Sequence, residues 1–392
     1  MSRAARRAWL SFGIVLLVLF FAFASEHWMD ILNYTMIYAI AAIGLNVLSG
    51  YTGQVSLGIA FFMAIGAYTS VWLGGDPTVT VTINAQNVPA FGLGLPFWIW
   101  LPASGVVAAL AGVLIGPTAL RLKGFYLGIV SLALIFVGQQ IFSHSVQLTG
   151  GTGGRSFPSP VIAGFDFSVN NDLLNTGFAI TSQQAYFLLI FPVLLLSALF
   201  VSNVMRSRAG RAFQAVRDYE TGAAIMGVNL FQAKMGAFIL SSFLAGISGA
   251  LFASYNTIVG SGYWDLVLSI QFVAAIIIGG IASVWGSILG AAFVFALPLI
   301  LDQFQLFKES ASSTGLSSGD LNTIIYGLLI IVFLLFEPGG LVGLIRRSQV
   351  LIRRLNQRSP KGGQLAQTPA EIEADSQSDV ENTALSAEEG AS

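Results

Sequence analysis

The chain has 392 residues, of which 55% are hydrophobic, 9% are charged and none is cysteine, with a formal net charge of −1. A soluble domain carries about 25% charged residues, so water alone cannot coat this surface. The near-zero net charge removes any bulk attraction to nucleic acid, and the absence of cysteine removes disulfides and thiolate metal sites.

Thirteen of the charged residues follow Ile345, which makes the first 345 residues poorer in charge still. Long runs such as Gly13–Phe23, Ala185–Phe200 and Ile324–Phe336 are uniformly apolar, without the alternation of a membrane barrel. The 43 glycines suit close helix packing in lipid. The fold class is therefore all-α, a polytopic transmembrane helix bundle.

A crossing needs roughly 20 apolar residues. In chain order the pattern predicts ten spans: Trp9–Ser25, Ile31–Leu48, Val55–Leu73, Phe97–Leu120, Phe125–Phe142, Tyr186–Met205, Met235–Thr257, Leu266–Ile281, Gly286–Leu301 and Asn322–Phe336. The first, with Arg3, Arg6 and Arg7 before it and Ala22-Phe23-Ala24 near its end, has the pattern of either a retained span or a cleaved signal peptide. Ser49–Gln54 and Gly279–Gly286 carry no charge and read as breaks inside the membrane. Gly74–Pro96 and Ser143–Gln184 are long outer loops. The second contains the glycine cluster Gly150–Gly154, which lacks the Lys-Ser/Thr and strand-to-helix setting of a phosphate loop.

With the N-terminus inside and the spans alternating, sixteen of the 18 lysines and arginines face the cytoplasm, and only Arg155 and Lys308 face outward. By the positive-inside rule both termini are cytoplasmic. Three regions follow. Residues 1–345 form the membrane domain, with a cytoplasmic loop at 206–234. Residues 346–361 are a basic juxtamembrane segment suited to anionic headgroups. Residues 362–392 have no aromatic side chain and too little apolar surface to order, so they read as a disordered cytoplasmic tail.

Chemistry-bearing residues are sparse. His27 and His144 have no paired ligand, and there is no Walker A motif and no G-x-S-x-G elbow. The span interiors hold essentially no carboxylate of the kind that relays ions. The chain reads as a non-enzyme without metal or cofactor. Neutral polar residues in or near spans are Asn46, Gln54, Gln139, Gln140 and Gln271. They are open to two readings, helix–helix bonding or contact with a pathway; Asn46, Gln54, Gln139 and Gln271 are the pathway-lining candidates.

The loop 206–234 is the most informative segment. Ala212, Phe213, Ala215 and Val216 make an apolar strip beside Arg208, Arg211 and Arg217. Asp218 is placed to cap a second short helix, with Glu220 at its positive end. Gly227 is placed to close it in the left-handed conformation, and Asn229 to cap the next span. Composition alone admits both an amphipathic helix lying at the headgroups and a docking element for another protein.

The segment Ala212–Gly227 resembles the coupling loop of bacterial ABC importer permeases, specifically the branched-chain amino-acid LivM-type subunit. Gly44–Gly58 (GLNVLSGYTGQVSLG) and Phe61–Tyr68 resemble that family's early signature, Leu120–Leu127 its middle one, and Ala245–Ala250 and Gly279–Gly290 its late ones. The resemblance runs in order across Ile31–Gly343. Departures are Gly222 inside the second short helix, Ile59 after Leu57-Gly58, and an approximate E-A-A-x3-G pattern at Glu220, Ala223, Ala224 and Gly227. The resemblance implies a type II importer-like fold in the bacterial inner membrane. It implies a sister permease of LivH type, two cytosolic ATPases that bind ATP, and an external binding protein. It assigns coupling to Arg211, Asp218, Glu220, Ala223, Ala224 and Gly227. Its implied cargo is a branched-chain or other aliphatic amino acid, with urea, short amides and other neutral amino acids as the alternative.

The charge split makes a direct prediction. Single cysteines introduced at Ser159 and Ser376 should react with an impermeant maleimide from outside and from inside respectively. Labelling of Ser376→Cys from outside would reverse the topology.

Overall fold

The structure is a computed structural model that describes residues 25–75, 80–83, 86–89, 92–120, 125–157, 159–162, 165–167, 171–172, 179–304, 318–336 and 340–344. All lie within one compact unit. The span Trp9–Ser25, the basic segment and the tail fall outside the described residues, apart from Ser25 itself.

The other nine predicted spans coincide with helices. They are α1 (Glu26–Leu45), α2 (Ile59–Gly74), α3 (Phe97–Leu120), α4 (Phe125–His144), α6 (Ser182–Arg206), α9 (Leu230–Asn256), α10 (Leu266–Gly279), α11 (Val284–Phe304) and α12 (Ser318–Phe336). Between them lie the short helices α5 (Val146–Thr149), α7 (Arg208–Asp218) and α8 (Glu220–Ile225). Among the described residues, seven helical stretches are long and apolar enough to cross a membrane; α2, with 16 residues, is shorter than a full span.

Starts and stops follow local chemistry. Helix α6 opens with a capping box: Thr181 Oγ1 accepts from Gln184 N at 3.4 Å, and Gln184 Oε1 accepts from Thr181 N at 3.1 Å. Asp265 caps α10 by accepting from Leu268 N at 2.8 Å. At the first expected break α1 passes into a π-helical turn, Asn46–Tyr51, and leaves helical geometry before α2. At the second, α10 ends at Gly279 and α11 starts at Val284. The long loops contain an element the sequence reading did not include, short antiparallel ribbons. Thr80–Ile83 pairs with Gln86–Pro89, and Arg155–Ser156 pairs with Ile258–Val259.

Helices α1 and α9 form the centre. Inside the bundle lie 83% of the α1 stretch and 72% of α9, against 28–44% for the other crossing helices, which keep an apolar face outward. The two central helices run antiparallel. Gly44 of α1 approaches Ser241 and Leu244 of α9, while Asp30 meets Tyr255 at the other end. Ser248 Oγ donates to Ile37 O at 2.7 Å, spending a buried hydroxyl on the neighbouring helix. Across the α2–α9 seam the backbones touch. A Cβ on Gly66 would sit 2.1 Å from Gly246 O, and one on Gly249 only 1.9 Å from Met63 O. An aromatic cluster joins α1, α10 and α11, with ring centroids of Tyr38 and Phe295 at 4.3 Å and of Phe272 and Phe295 at 4.9 Å.

Gly249→Val should force α2 and α9 apart and cost about 1–3 kcal/mol or more, as overpacking does. Gly128→Ala, whose Cβ meets nothing within 4 Å, is the control. A thermal-shift measurement in detergent should show the first variant several degrees below wild type and the second unchanged.

Candidate functional site

Helices α7 and α8 form a corner between α6 and α9. Helix α7 opens at Ser207, whose Oγ accepts from Ala209 N at 3.2 Å. Its apolar positions Phe213 and Val216 are buried, and Phe213 lies under Gly236 of α9. Its polar positions Arg208, Arg211, Arg217 and Asp218 are exposed. This helical periodicity fixes which face of α7 rests on the bundle.

The second short helix departs from the expected cap. Asp218 remains inside α7, because the next amide, Tyr219 N, still bonds Ala215 O at 3.1 Å. The cap is therefore Tyr219, extended at φ −156°, with no side-chain cap bond. Helix α8 then ends as expected at Gly227, which has φ +82°. Gly227 N bonds Ala224 O at 3.0 Å and Val228 N bonds Ala223 O at 2.9 Å, the two bonds of a Schellman turn. Asn229 Oδ1 accepts from Gln232 N at 3.1 Å and starts α9.

Of the sequence-derived coupling residues, Arg211, Asp218, Ala224 and Gly227 are exposed, Glu220 is half-buried, and Ala223 is buried under the corner. Glu220 Oε1 accepts from Lys234 Nζ at 2.6 Å, tying α8 to the first turns of α9. The Glu220 side chain is 37% exposed, so this bond belongs with partly screened surface pairs worth about 0.2–1 kcal/mol.

Sequence reasoning missed the corner's exposed apolar side chains. Tyr219 is 68% exposed, Ile225 81% and Met226 86%, and Phe231 on the first turn of α9 is also exposed. In an apolar chain a further isoleucine or methionine carries no signal. The available signal was position: these residues sit within the charged loop 206–234, where an outward apolar side chain is out of pattern.

The pathway-lining candidates separate. Asn46, at the head of the π-helical turn, is 1% exposed. Its Nδ2 donates to Ser283 O at 3.0 Å and Ser287 Oγ at 2.7 Å, and its Oδ1 accepts from Ala282 N at 2.9 Å. One side chain thus bridges the break after α1 and the break before α11. Gln54 is buried beside the start of α9; its Nε2 donates to Thr52 Oγ1 at 3.0 Å and Lys234 O at 3.4 Å, while its Oε1 has no hydrogen-bond partner. Gly53, at φ +70°, lies against Arg217; a Cβ on it would sit 3.4 Å from Arg217 Cγ. Arg217, Gln54, Lys234 and Glu220 are thereby brought to one end of the bundle. Gln139 is half-buried on α4 and Gln271 half-buried on α10. Among the described residues no group of three histidine, cysteine or acidic side chains could hold a metal.

The family described as the permease component of branched-chain amino acid transport systems matches residues 28–334. The high-affinity branched-chain amino acid transport system permease protein LivM of Salmonella typhimurium is 30% identical over 328 residues, 81% of this chain and 70% of its own. The LivM protein of Escherichia coli is 30% identical over 349 residues, 86% and 75% of the two chains. The E. coli permease protein LivH is 26% identical over 313 residues, 78% and 91%. No solved structure matches significantly.

Because a Cβ on Gly227 would meet nothing within 4 Å, Gly227→Ala isolates the backbone cost of the left-handed conformation, about 1–2 kcal/mol. Hydrogen exchange at the amides of residues 227 and 228 should quicken about tenfold, with the melting temperature of the bundle unchanged.

Proposed function

The chain belongs to the family of permease components of branched-chain amino acid transport systems, and from that premise we propose that it lines, with a sister permease subunit, an import path for aliphatic amino acids across the bacterial inner membrane. It is a multi-pass membrane protein. An external binding protein delivers the cargo and two cytosolic ATPases supply the energy. The sister subunit is of the kind the LivH relative represents. The sixteen-to-two charge split supports placing the α7–α8 corner on the ATPase side.

The observation that carries this reading is the corner itself. The sequence holds no Walker A motif, so energy has to arrive by contact. Tyr219, Ile225 and Met226 stand outward from a short helix whose cap and stop fix their direction. Burying a side chain of this size in a partner is worth about 1.5–3 kcal/mol, so three of them make a docking knob. Arg208, Arg211 and Asp218 are exposed on the adjoining α7, and charge beside an apolar patch is the composition of an interface rim. The path from knob to bundle is short. Arg217 touches the Gly53 turn, the π-helical turn next to it carries Asn46, and Asn46 holds the break before α11. A push on α7 and α8 therefore reaches both helix breaks through direct contacts, a rigid-body route for switching access.

Ile225→Glu combined with Met226→Glu tests the docking step. Both positions are more than four-fifths exposed, so the variant should insert and accumulate normally. Co-purification of the ATPases should fall at least tenfold, and leucine uptake into proteoliposomes should fall with it. Uptake at the wild-type rate would assign α7 and α8 to the headgroup region instead.

A further inference from the structure

At the opposite end of α1 and α9 from the corner lies a cavity of about 310 Å³ that the coupling reading does not use. This is near the small end of ligand sites, which run about 300–1,000 Å³. Its walls come from the first turns of α1, the start of α6 and the end of α9. They include Asp30, Tyr34, Gln183, Tyr186 and Tyr255.

The charge of the walls is one-sided. Each of the three tyrosine hydroxyls spends its proton inside the wall. Tyr255 donates to Asp30 Oδ1, Tyr34 donates to Asn256 Oδ1 at 2.7 Å, and Tyr186 donates to Ser254 O at 2.7 Å. The Tyr34 oxygen keeps a lone pair to accept with, and a carboxylate is acceptor-only. Among the described lining residues there is no lysine, arginine or histidine. Behind the wall Asn33, fully buried, donates to Gln183 O at 2.9 Å and to Tyr255 Oη at 3.4 Å, holding both lining residues in place. The Tyr255 ring is flanked edge-to-face by Tyr34 and Tyr186, each at 5.0 Å between centroids and near 90°. Aromatic rings beside a carboxylate attract an organic cation, and the other described lining side chains, Ser159, Ser182, Gln183 and Thr257, are neutral.

We propose that this cavity binds the ammonium group of a small primary amine, which, on the permease reading it rests on, is the amino end of the transported amino acid. Asp30 takes the ammonium charge, the Tyr34 oxygen accepts one of its remaining N–H bonds, and the aromatic walls take the first carbons of the chain. A free ammonium is the feature shared by every α-amino acid, so the site selects the class while leaving side-chain choice to other parts of the system.

The full chain in lipid nanodiscs, titrated calorimetrically with four probes, tests this. Leucine, leucine methyl ester and 3-methylbutylamine carry the ammonium; 4-methylpentanoate keeps the carbon skeleton without it. The first three should bind and the last should not. Asp30→Asn should weaken the three amines at least tenfold. Tyr255→Phe keeps the carboxylate but removes the hydroxyl and should weaken them several-fold; it guards against misfolding of the first variant, and both are checked for an unchanged melting temperature. Equal binding of 4-methylpentanoate, or amine binding unchanged in properly folded Asp30→Asn, overturns the site. The two readings fail separately: amine binding that persists in a chain without uptake activity keeps the site and removes the permease role, and wild-type uptake in a folded Asp30→Asn chain that binds no amine removes the site as a transport step.

Discussion

A helix that stops inside a lipid-coated bundle exposes backbone groups that lipid cannot bond, so the protein itself must supply partners. Asn46 meets that constraint twice with one side chain. Its amide donates to Ser283 O and Ser287 Oγ and its oxygen accepts from Ala282 N. Ala282 sits at φ +59°, a conformation that a residue with a Cβ takes up only when its surroundings hold it there. Gly50 completes the arrangement, since a Cβ there would fall 1.8 Å from Asn46 Oδ1. The two breaks are therefore one structure, and the helices on either side take their direction from it.

Around that clasp, packing follows membrane rules. Lipid tails give helices no hydrophobic reason to associate, so close backbone contact and short polar bonds have to do it. The α2–α9 seam shows the first, with Gly66 against Gly246 and Gly249 against Met63. The α1–α9 pair shows the second, in the bond from Ser248 to Ile37 O. The outer helices keep large side chains such as Leu114 and Leu196 facing outward, where lipid receives them at no cost.

Much of this was legible in the sequence. Apolar length without alternation located nine helices to within a few residues, because in lipid only a helix satisfies some twenty apolar backbone units within one segment. Gly227 and Asn229 were readable because left-handed stops and helix caps demand particular residue types. Asp218 misled because an acceptor at a helix start is a preference that one further backbone bond, Tyr219 N to Ala215 O, overrides. Asn46 was visible as a polar residue in an apolar run, but its partners lie some 240 positions away and no local pattern announces them. Tyr219, Ile225 and Met226 were hidden because their residue types are the background of this chain; only burial separates them from the core.

The closing turn of α8 has a consequence for how such a chain can diversify. Its geometry is set by backbone bonds at Ala223 and Ala224 and by one glycine with open space around it, while the side chains it displays touch little of the bundle. Shape and display are thus specified by separate residues. On the docking role proposed for it, substitutions at Ile225 and Met226 can re-match the surface to a different partner without re-solving the fold, so the tip is free to drift in step with another gene's product while the frame that aims it stays fixed.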